Sequence, residues 1–288
     1  MRERPASDSL RIGQCATLAC LLEVTAPKPG NVHRGADFDD LSFTDLVVSA
    51  VAIGPAMEDA VRQPLGKTVL DAVRATGWCV ASNTNLGMIL LIAPLASVAP
   101  GEPLRSGLAE VLSRLTPEDA AHVYQAIRWA RPGGLGTVTQ MDVSGEAPLN
   151  LLEAMASARE RDLIARQYSN GFLEIFEYVA PWFMEGQSAG WSLTQSIVHV
   201  HVRLMATFPD SLIERKCGAA VAAASQQGAS QVLTAGLPGD EDYDRALADL
   251  DFWLRSDGHR RNPGTSADMV AAGLFVVLRD GMVTPPWR

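Results

Sequence analysis

Five polar segments of this chain hold residues of the kinds that bind phosphate and move protons. The first begins at Glu23 and continues through Pro27-Lys28-Pro29-Gly30-Asn31-Val32-His33-Arg34-Gly35-Ala36-Asp37-Phe38-Asp39-Asp40. Its prolines stiffen the backbone, and its glycines allow positive φ or close ligand approach. Lys28 and Arg34 could meet phosphate oxygens, Asn31 and His33 could add polar contacts, and Asp37 with its neighbours could hold a hard cation such as Mg²⁺. A turn followed by helix capping is the plainer alternative for Asp39, Asp40 and Ser42, and we prefer it for Asp40.

The second segment, Ser82-Asn83-Thr84-Asn85-Leu86-Gly87, opens an apolar helix whose free N–H groups suit an anion, with Gly87 allowing close approach. One of its two asparagines is expected to serve only as a cap. The third, Arg131-Pro132-Gly133-Gly134-Leu135-Gly136 with Asp142, is as easily a flexible loop as a phosphate cradle. In the fourth, Asp210 is a candidate base or metal ligand, and Arg215 and Lys216 are candidate phosphate contacts. A short capped helix with a solvated basic end explains that segment equally well. The fifth holds Arg260-Arg261-Asn262-Pro263-Gly264, then Ser266 and Asp268. There, Arg261 and Asn262 are harder to explain as structure than Ser266 and Asp268, which would satisfy an ordinary helix start.

Other signals fail on inspection. Leu65-Gly66-Lys67-Thr68 ends like a phosphate-binding loop, but Val61 stands where the first glycine belongs. His199 and His201 are two apart, which on a helix sends them to different faces, so core or surface positions are expected for both. The four cysteines show no metal-binding spacing and read as buried thiols of a reducing, cytoplasmic compartment.

The elements that must position these loops read as helices. Apolar residues at helical spacing mark segments from Ile12 to Glu23, from Ser42 to about Gly54, from Gly66 to Val80, and from Leu86 to Ala96. The last is apolar nearly all round, as a buried central helix should be. Further segments run over 103–115, 117–130, 149–168, 171–183, 193–206, 241–254 and 266–278. Only 135–143 alternates like a strand. The expectation is an all-α fold, a single compact multi-helix domain over 1–288. With 33 acidic against 24 basic residues, a net charge of −9 argues against a nucleic-acid surface. The longest apolar run is too short and too interrupted to span a membrane. The helices could bury their apolar faces internally or across a homodimer.

Taken in order, Glu23, Pro27-Lys28-Pro29-Gly30, Asn83-Thr84 with Gly87, Asp210-Ser211 with Arg215 and Gly218, and Asn262-Pro263-Gly264 with Ser266-Ala267-Asp268 resemble the triphosphoribosyl-dephospho-CoA synthase family. The resemblance runs from Leu18 to Leu274 and implies an all-helical enzyme. Such an enzyme takes Mg²⁺-ATP and 3′-dephospho-CoA, releases adenine and forms an α-ribosidic bond. On that reading Lys28, Arg34, Arg215 and Lys216 grip phosphates, and Asp37 and Asp210 hold Mg²⁺. One inversion calls for a base, supplied by Glu23, Asp210 or Asp268. Asn31-Val32-His33 replaces the Leu-Val-Asp usual in the citrate-lyase type, and Asn85-Leu86 replaces His-Lys. The stretch Pro132-Gly133-Gly134-Leu135-Gly136 with Asp142, together with Arg161-Asp162-Leu163-Ile164-Ala165, resembles a separate branch linked to tetrahydromethanopterin-dependent C1 metabolism. That resemblance implies α-(phospho)ribosyl transfer to a pterin-precursor hydroxyl as the alternative. With water as acceptor, the same site would be a nucleotide N-ribosyl hydrolase.

Overall fold

The computed structural model describes residues 10–132 and 143–283, and among them every regular element is a helix. The glycine loop and strand-like alternation between 133 and 142, including Asp142, lie outside the described residues.

Helix α1 (Ile12–Thr25) ends where Pro27 and Pro29 forbid continuation. Ser42 caps α2 (Phe43–Ala52) in a reciprocal arrangement with Asp45. Pro55 then starts the short α3 (Gly54–Glu58). Helices α4 (Leu65–Cys79) and α7 (Pro117–Ala130) pack together, and between them α5 (Leu86–Ala96) and α6 (Leu104–Ser113) complete the first half. All of α5 except Gly87 is buried, as its uniform apolarity demands.

The second half departs from the periodicity at three points. The single helix expected over 149–168 is two, α8 (Leu151–Ala158) and α9 (Leu163–Asn170). Asp162 separates them because its side chain accepts from the N–H groups of Ile164 and Ala165, which an uninterrupted helix would have used internally. A π-helical turn at Ile175–Val179 precedes α10 (Ala180–Ser188). After α11 (Leu193–Thr207) and α12 (Ser211–Cys217) comes α13 (Ala219–Ala235), which the apolar pattern did not disclose. Its alanine-rich sequence has strong helix propensity but little amphipathic stripe. Helices α14 (Glu241–Arg255) and α15 (Gly264–Arg279) close the fold.

Helix α15 is the second axial element, buried over most of its length and packed on α1, α5, α10 and α11. A smaller apolar cluster joins α11 to α14, with Tyr243 accepting or donating at His199 Nδ1 over 3.0 Å. His199 and His201 are both buried, as core histidines. The cysteine expectation holds for Cys15 and Cys20, whereas Cys79 is exposed at the end of α4. No described helix is long and apolar enough to cross a membrane.

Close approach of α4 to α7 requires Gly66. A Cβ there would sit 2.4 Å from the backbone oxygen of Asp119, whose carboxylate also accepts from Gly66 N at 2.7 Å. Gly66→Ala is therefore expected to destabilise the protein by about 1–3 kcal/mol, seen as a lower urea midpoint at unchanged slope. A midpoint equal to wild type would mean that the two helices separate freely.

Candidate active site

The starts of four helices, α5, α9, α12 and α15, converge on one cleft of about 1410 Å³. Their N-terminal dipoles bias it toward anions. The residues that set this convergence are polar and buried. Asp210 Oδ1 accepts from the N–H groups of Leu212 (2.9 Å) and Ile213 (3.1 Å), capping α12. Its Oδ2 accepts from the N–H (2.7 Å) and hydroxyl (2.8 Å) of Ser266 in α15. Ser211 extends the junction, donating to Thr265 at 3.1 Å and accepting from Leu163 N at 3.3 Å.

This geometry corrects two assignments. With four hydrogen bonds on two oxygens, Asp210 is neither a free base nor a metal ligand, and Ser266 is its partner and not a substrate contact. Burial pushes the Asp210 carboxyl up, and the donors at Ser266, Ile213 and Leu212 oppose that. The other expected metal ligand, Asp37, is exposed away from the cleft and accepts from Phe43 N at 2.7 Å. The expected Asp37–Asp210 magnesium pair therefore does not fit. Among the described residues no group of three His, Cys, Asp or Glu side chains is placed to hold a metal.

Lys28 is also corrected. Its side chain is fully buried, and its ammonium lies 2.8 Å from Glu23 Oε1 while donating to the carbonyls of Glu23 and Ala26. Proline-enforced geometry folds Lys28 back onto the end of α1, so it stabilises a buried carboxylate and does not reach the cleft. Glu23 does line the cleft. Desolvation raises its pKa, and the charge and hydrogen bond of Lys28 lower it again. Arg34 is exposed and His33 half-buried, and neither lines the cleft. Burial, then the Arg255 charge, lowers the His33 pKa. Arg261 is likewise structural: it donates to Trp253 O at 3.0 Å and stacks on that indole.

What the cleft does bring together is Glu23, Asn31, Asn83, Asn85, Gly87, Arg215, Lys216, Asn262 and Asp268. Asn83 Oδ1 accepts from Leu86 N at 3.2 Å, so it is the asparagine that caps, while Asn85 is buried against α2 through Ser49 O. Arg215 donates to Asp162 Oδ2 at 2.6 Å and keeps a buried Nε–H with no partner. Lys216 is half-buried with no hydrogen-bond or ion-pair partner among the described residues, and desolvation lowers its pKa. Sequence reasoning missed Asp162, Asp40 and His259 as members of this wall. The expected helix over 149–168 ran through Asp162, and its pairing with Arg215 joins residues 53 apart.

Asp268 stands out. It lies one turn into α15, lines the cleft, and has no hydrogen-bond or ion-pair partner among the described residues. Burial raises its pKa well above the carboxylate range, and the negative neighbours Glu23, Asp210 and Asp162 reinforce this against Arg215. Gly87 makes room for it: a Cβ at Gly87 would lie 2.0 Å from Asp268 Oδ2. The close approach that Gly87 permits is thus to a protein carboxyl.

The fold and the cleft define an all-helical protein with a site that gathers helix starts, cationic side chains and a carboxyl, Asp268, whose pKa burial raises. The family model described as ATP:dephospho-CoA triphosphoribosyl transferase matches residues 9–284, and the chain belongs to that family. It is similar to a probable 2-(5''-triphosphoribosyl)-3'-dephosphocoenzyme-A synthase of Pseudomonas syringae pv. syringae, at 24% identity over 94% of this chain and 92% of the relative. A protein of the same description from Azotobacter vinelandii is 26% identical, over 91% and 88%. A crystal structure of a provisionally assigned triphosphoribosyl-dephospho-CoA synthase from Archaeoglobus fulgidus superposes with a TM-score of 0.62. It is 26% identical and covers 83% of this chain and 99% of its own.

Two stability measurements check the electrostatics. Lys28→Met leaves Glu23 buried without its counter-charge and is expected to cost about 3–5 kcal/mol; an unchanged Tm would show that Glu23 carries no charge in the folded protein. For Asp268 the folded pKa is raised, so its favourable contribution is complete below the unfolded pKa and is lost as pH rises through the folded value. Asp268→Asn should therefore gain Tm relative to wild type between pH 5 and pH 8. A gap that narrows over that range would contradict the raised pKa.

Proposed function

We propose that this chain transfers the triphosphoribosyl group of ATP to a hydroxyl of 3′-dephospho-CoA, releasing adenine. The observation that carries the reading is that one cleft brings together Asp268 and Lys216, neither with a hydrogen-bond or ion-pair partner among the described residues. Family membership names the reaction class, and the relatives described above are named for it. Single-ligand pockets run to roughly 300–1000 Å³, so a cleft of about 1410 Å³ has room for two substrates.

Transfer at the anomeric carbon breaks the C1′–N9 bond and forms C1′–O. The bonding pair leaves with adenine, which takes a proton, and the acceptor hydroxyl gives one up. Asp268, whose pKa burial raises well above its ordinary value, suits the first role. Glu23, kept closer to the ionised form by Lys28, suits the second and offers negative charge to the developing cationic sugar. Two carboxyls in different surroundings thus divide acid and base work. Lys216, the Nε–H of Arg215 and the converging helix starts would hold the triphosphate. Magnesium enters this reading only as the counter-ion of ATP, and no step is assigned to it.

Adenine release from ATP and Mg²⁺, followed by chromatography, tests the reading. We expect release that depends on dephospho-CoA. Release without any acceptor would make the protein a hydrolase, and release only with a pterin precursor would change the acceptor. Silence in every mixture would overturn the reading. Lys216→Ala should raise KM for ATP roughly tenfold or more, since a hydrogen bond to a charged group is worth about 1.5–3 kcal/mol. Asp268→Asn should lose turnover while ATP binding is kept; normal turnover would remove Asp268 from the chemistry.

A further inference from the structure

A chain of four side chains runs along one wall of the cleft and is used by none of the roles above. It starts at Asp40, passes through His259 and Asn262, and ends at Asn31, all of which line the cleft. His259 Nδ1 lies 2.9 and 3.1 Å from the two oxygens of Asp40, and its other nitrogen lies 2.8 Å from Asn262 Nδ2. Asn262 Oδ1 accepts in turn from Asn31 Nδ2. Asn31 Oδ1 is then left with no hydrogen-bond partner, on a residue only 5% exposed.

The direction of the chain follows from its first member. An ionised carboxylate only accepts and an amide nitrogen only donates, so between Asp40 and Asn262 Nδ2 the neutral ring carries its hydrogen on Nδ1 and accepts at Nε2. This turns the Asn262 carbonyl toward Asn31 and the Asn31 carbonyl to the end of the chain. Each amide could be reversed in isolation; tied to the neutral ring, neither can be.

The ring that enforces this is itself fixed. His259 stacks on Phe38 with centroids 4.5 Å apart and planes 16° apart. The Arg255 guanidinium lies 5.3 Å from the centroid of the Phe38 ring. Arg255 also donates to the carbonyl of Asn31 and pairs with Asp251 at 2.8 Å, and Asp251 accepts from Gly30 N at 2.7 Å. The end of α14 thus clamps both the ring and the loop that carries Asn31.

A buried acceptor without a donor calls for an explanation. We propose that His259 is a positioning residue which, with Asp40, holds Asn262 and Asn31 in the orientation that makes Asn31 Oδ1 the acceptor for a ribose hydroxyl of the nucleotide substrate. The proposal rests on the transferase reading and adds to it a recognition element on the sugar. It assigns the wall a preference for a hydrogen-bond donor, as distinct from the anion preference of Lys216 and Arg215.

The test compares ATP, 2′-deoxy-ATP and 3′-deoxy-ATP in the full-length wild type, Asn31→Ala, His259→Leu and His259→Gln, reading both equilibrium binding and the KM and kcat of adenine release. Wild type should bind ATP about tenfold more tightly than one of the two deoxy nucleotides, the worth of one well-made hydrogen bond. Asn31→Ala and His259→Leu should lose that discrimination, with the change in KM and not in kcat. His259→Gln, whose carbonyl can still accept from Asn262, should restore it. A His259→Leu protein with wild-type Tm and intact discrimination would overturn the role of His259. Equal losses for all three nucleotides in Asn31→Ala would mean that the orphan oxygen serves the fold or a buried water. Wild type that binds ATP and both analogues equally would leave the transferase reading standing and sink the hydroxyl contact; failure to bind ATP at all would sink both.

Discussion

Asp210 is the constraint on which the site depends. One buried carboxylate caps α12 with one oxygen and holds the start of α15 with the other. Those two helices carry Arg215, Lys216 and Asp268, so their relative placement is set by a single side chain whose hydrogen bonds leave no room for drift. The cost of burying a charge is offset because each oxygen meets two donors. All four contacts of this carboxylate are to the starts of α12 and α15, so its place in the loop is that of a junction between helices.

Lys28 and Glu23 show the same economy on the opposite wall. A lysine beside two prolines and a glycine has the composition of a phosphate loop, and here it is folded inward as the counter-ion of a buried acid. The positive side chains that line the cleft are instead Arg215 and Lys216 of α12 with Arg128, Arg131 and Arg161. Among the acidic residues lining it, Lys28 answers Glu23, Arg215 answers Asp162, His259 meets Asp40, and Asp268 has no direct partner among the described residues. Burial, reinforced by its negative neighbours, raises Asp268 well above its ordinary value and separates it from Glu23.

The helices were largely legible because their signal is local. Uniform apolarity identified α5, and Pro27 and Pro29 ended α1. The periodicity ran through Asp162 because hydrophobic spacing does not register a side chain that competes with the backbone for its N–H groups. It passed over α13 because an alanine-rich helix packs through small side chains and leaves little amphipathic contrast. The site was legible as a list of loops: Glu23, Asn31, Asn83, Asn85, Gly87, Arg215, Lys216, Asn262 and Asp268 do meet in one cleft. Lys28, His33, Arg34, Asp37, Arg261 and Ser266 are in the same loops and turn elsewhere.

The sequence by itself determined the helical fold class, the loops that gather around the cleft and the likeness to a transferase family, since these rest on spacing, residue type and order along the chain. Only the tertiary structure decided which side of each loop faces the cleft and which carboxylates are already occupied. Asp210 and Asp268 are both acidic residues near a helix N-terminus, the first as the N-cap of α12 and the second one turn into α15. One finds four donors from two helices, and the other finds Gly87 and three like charges. The difference lies in partners that are distant in the chain: donors from two helices fix Asp210 in place, whereas burial and negative neighbours raise the pKa of Asp268.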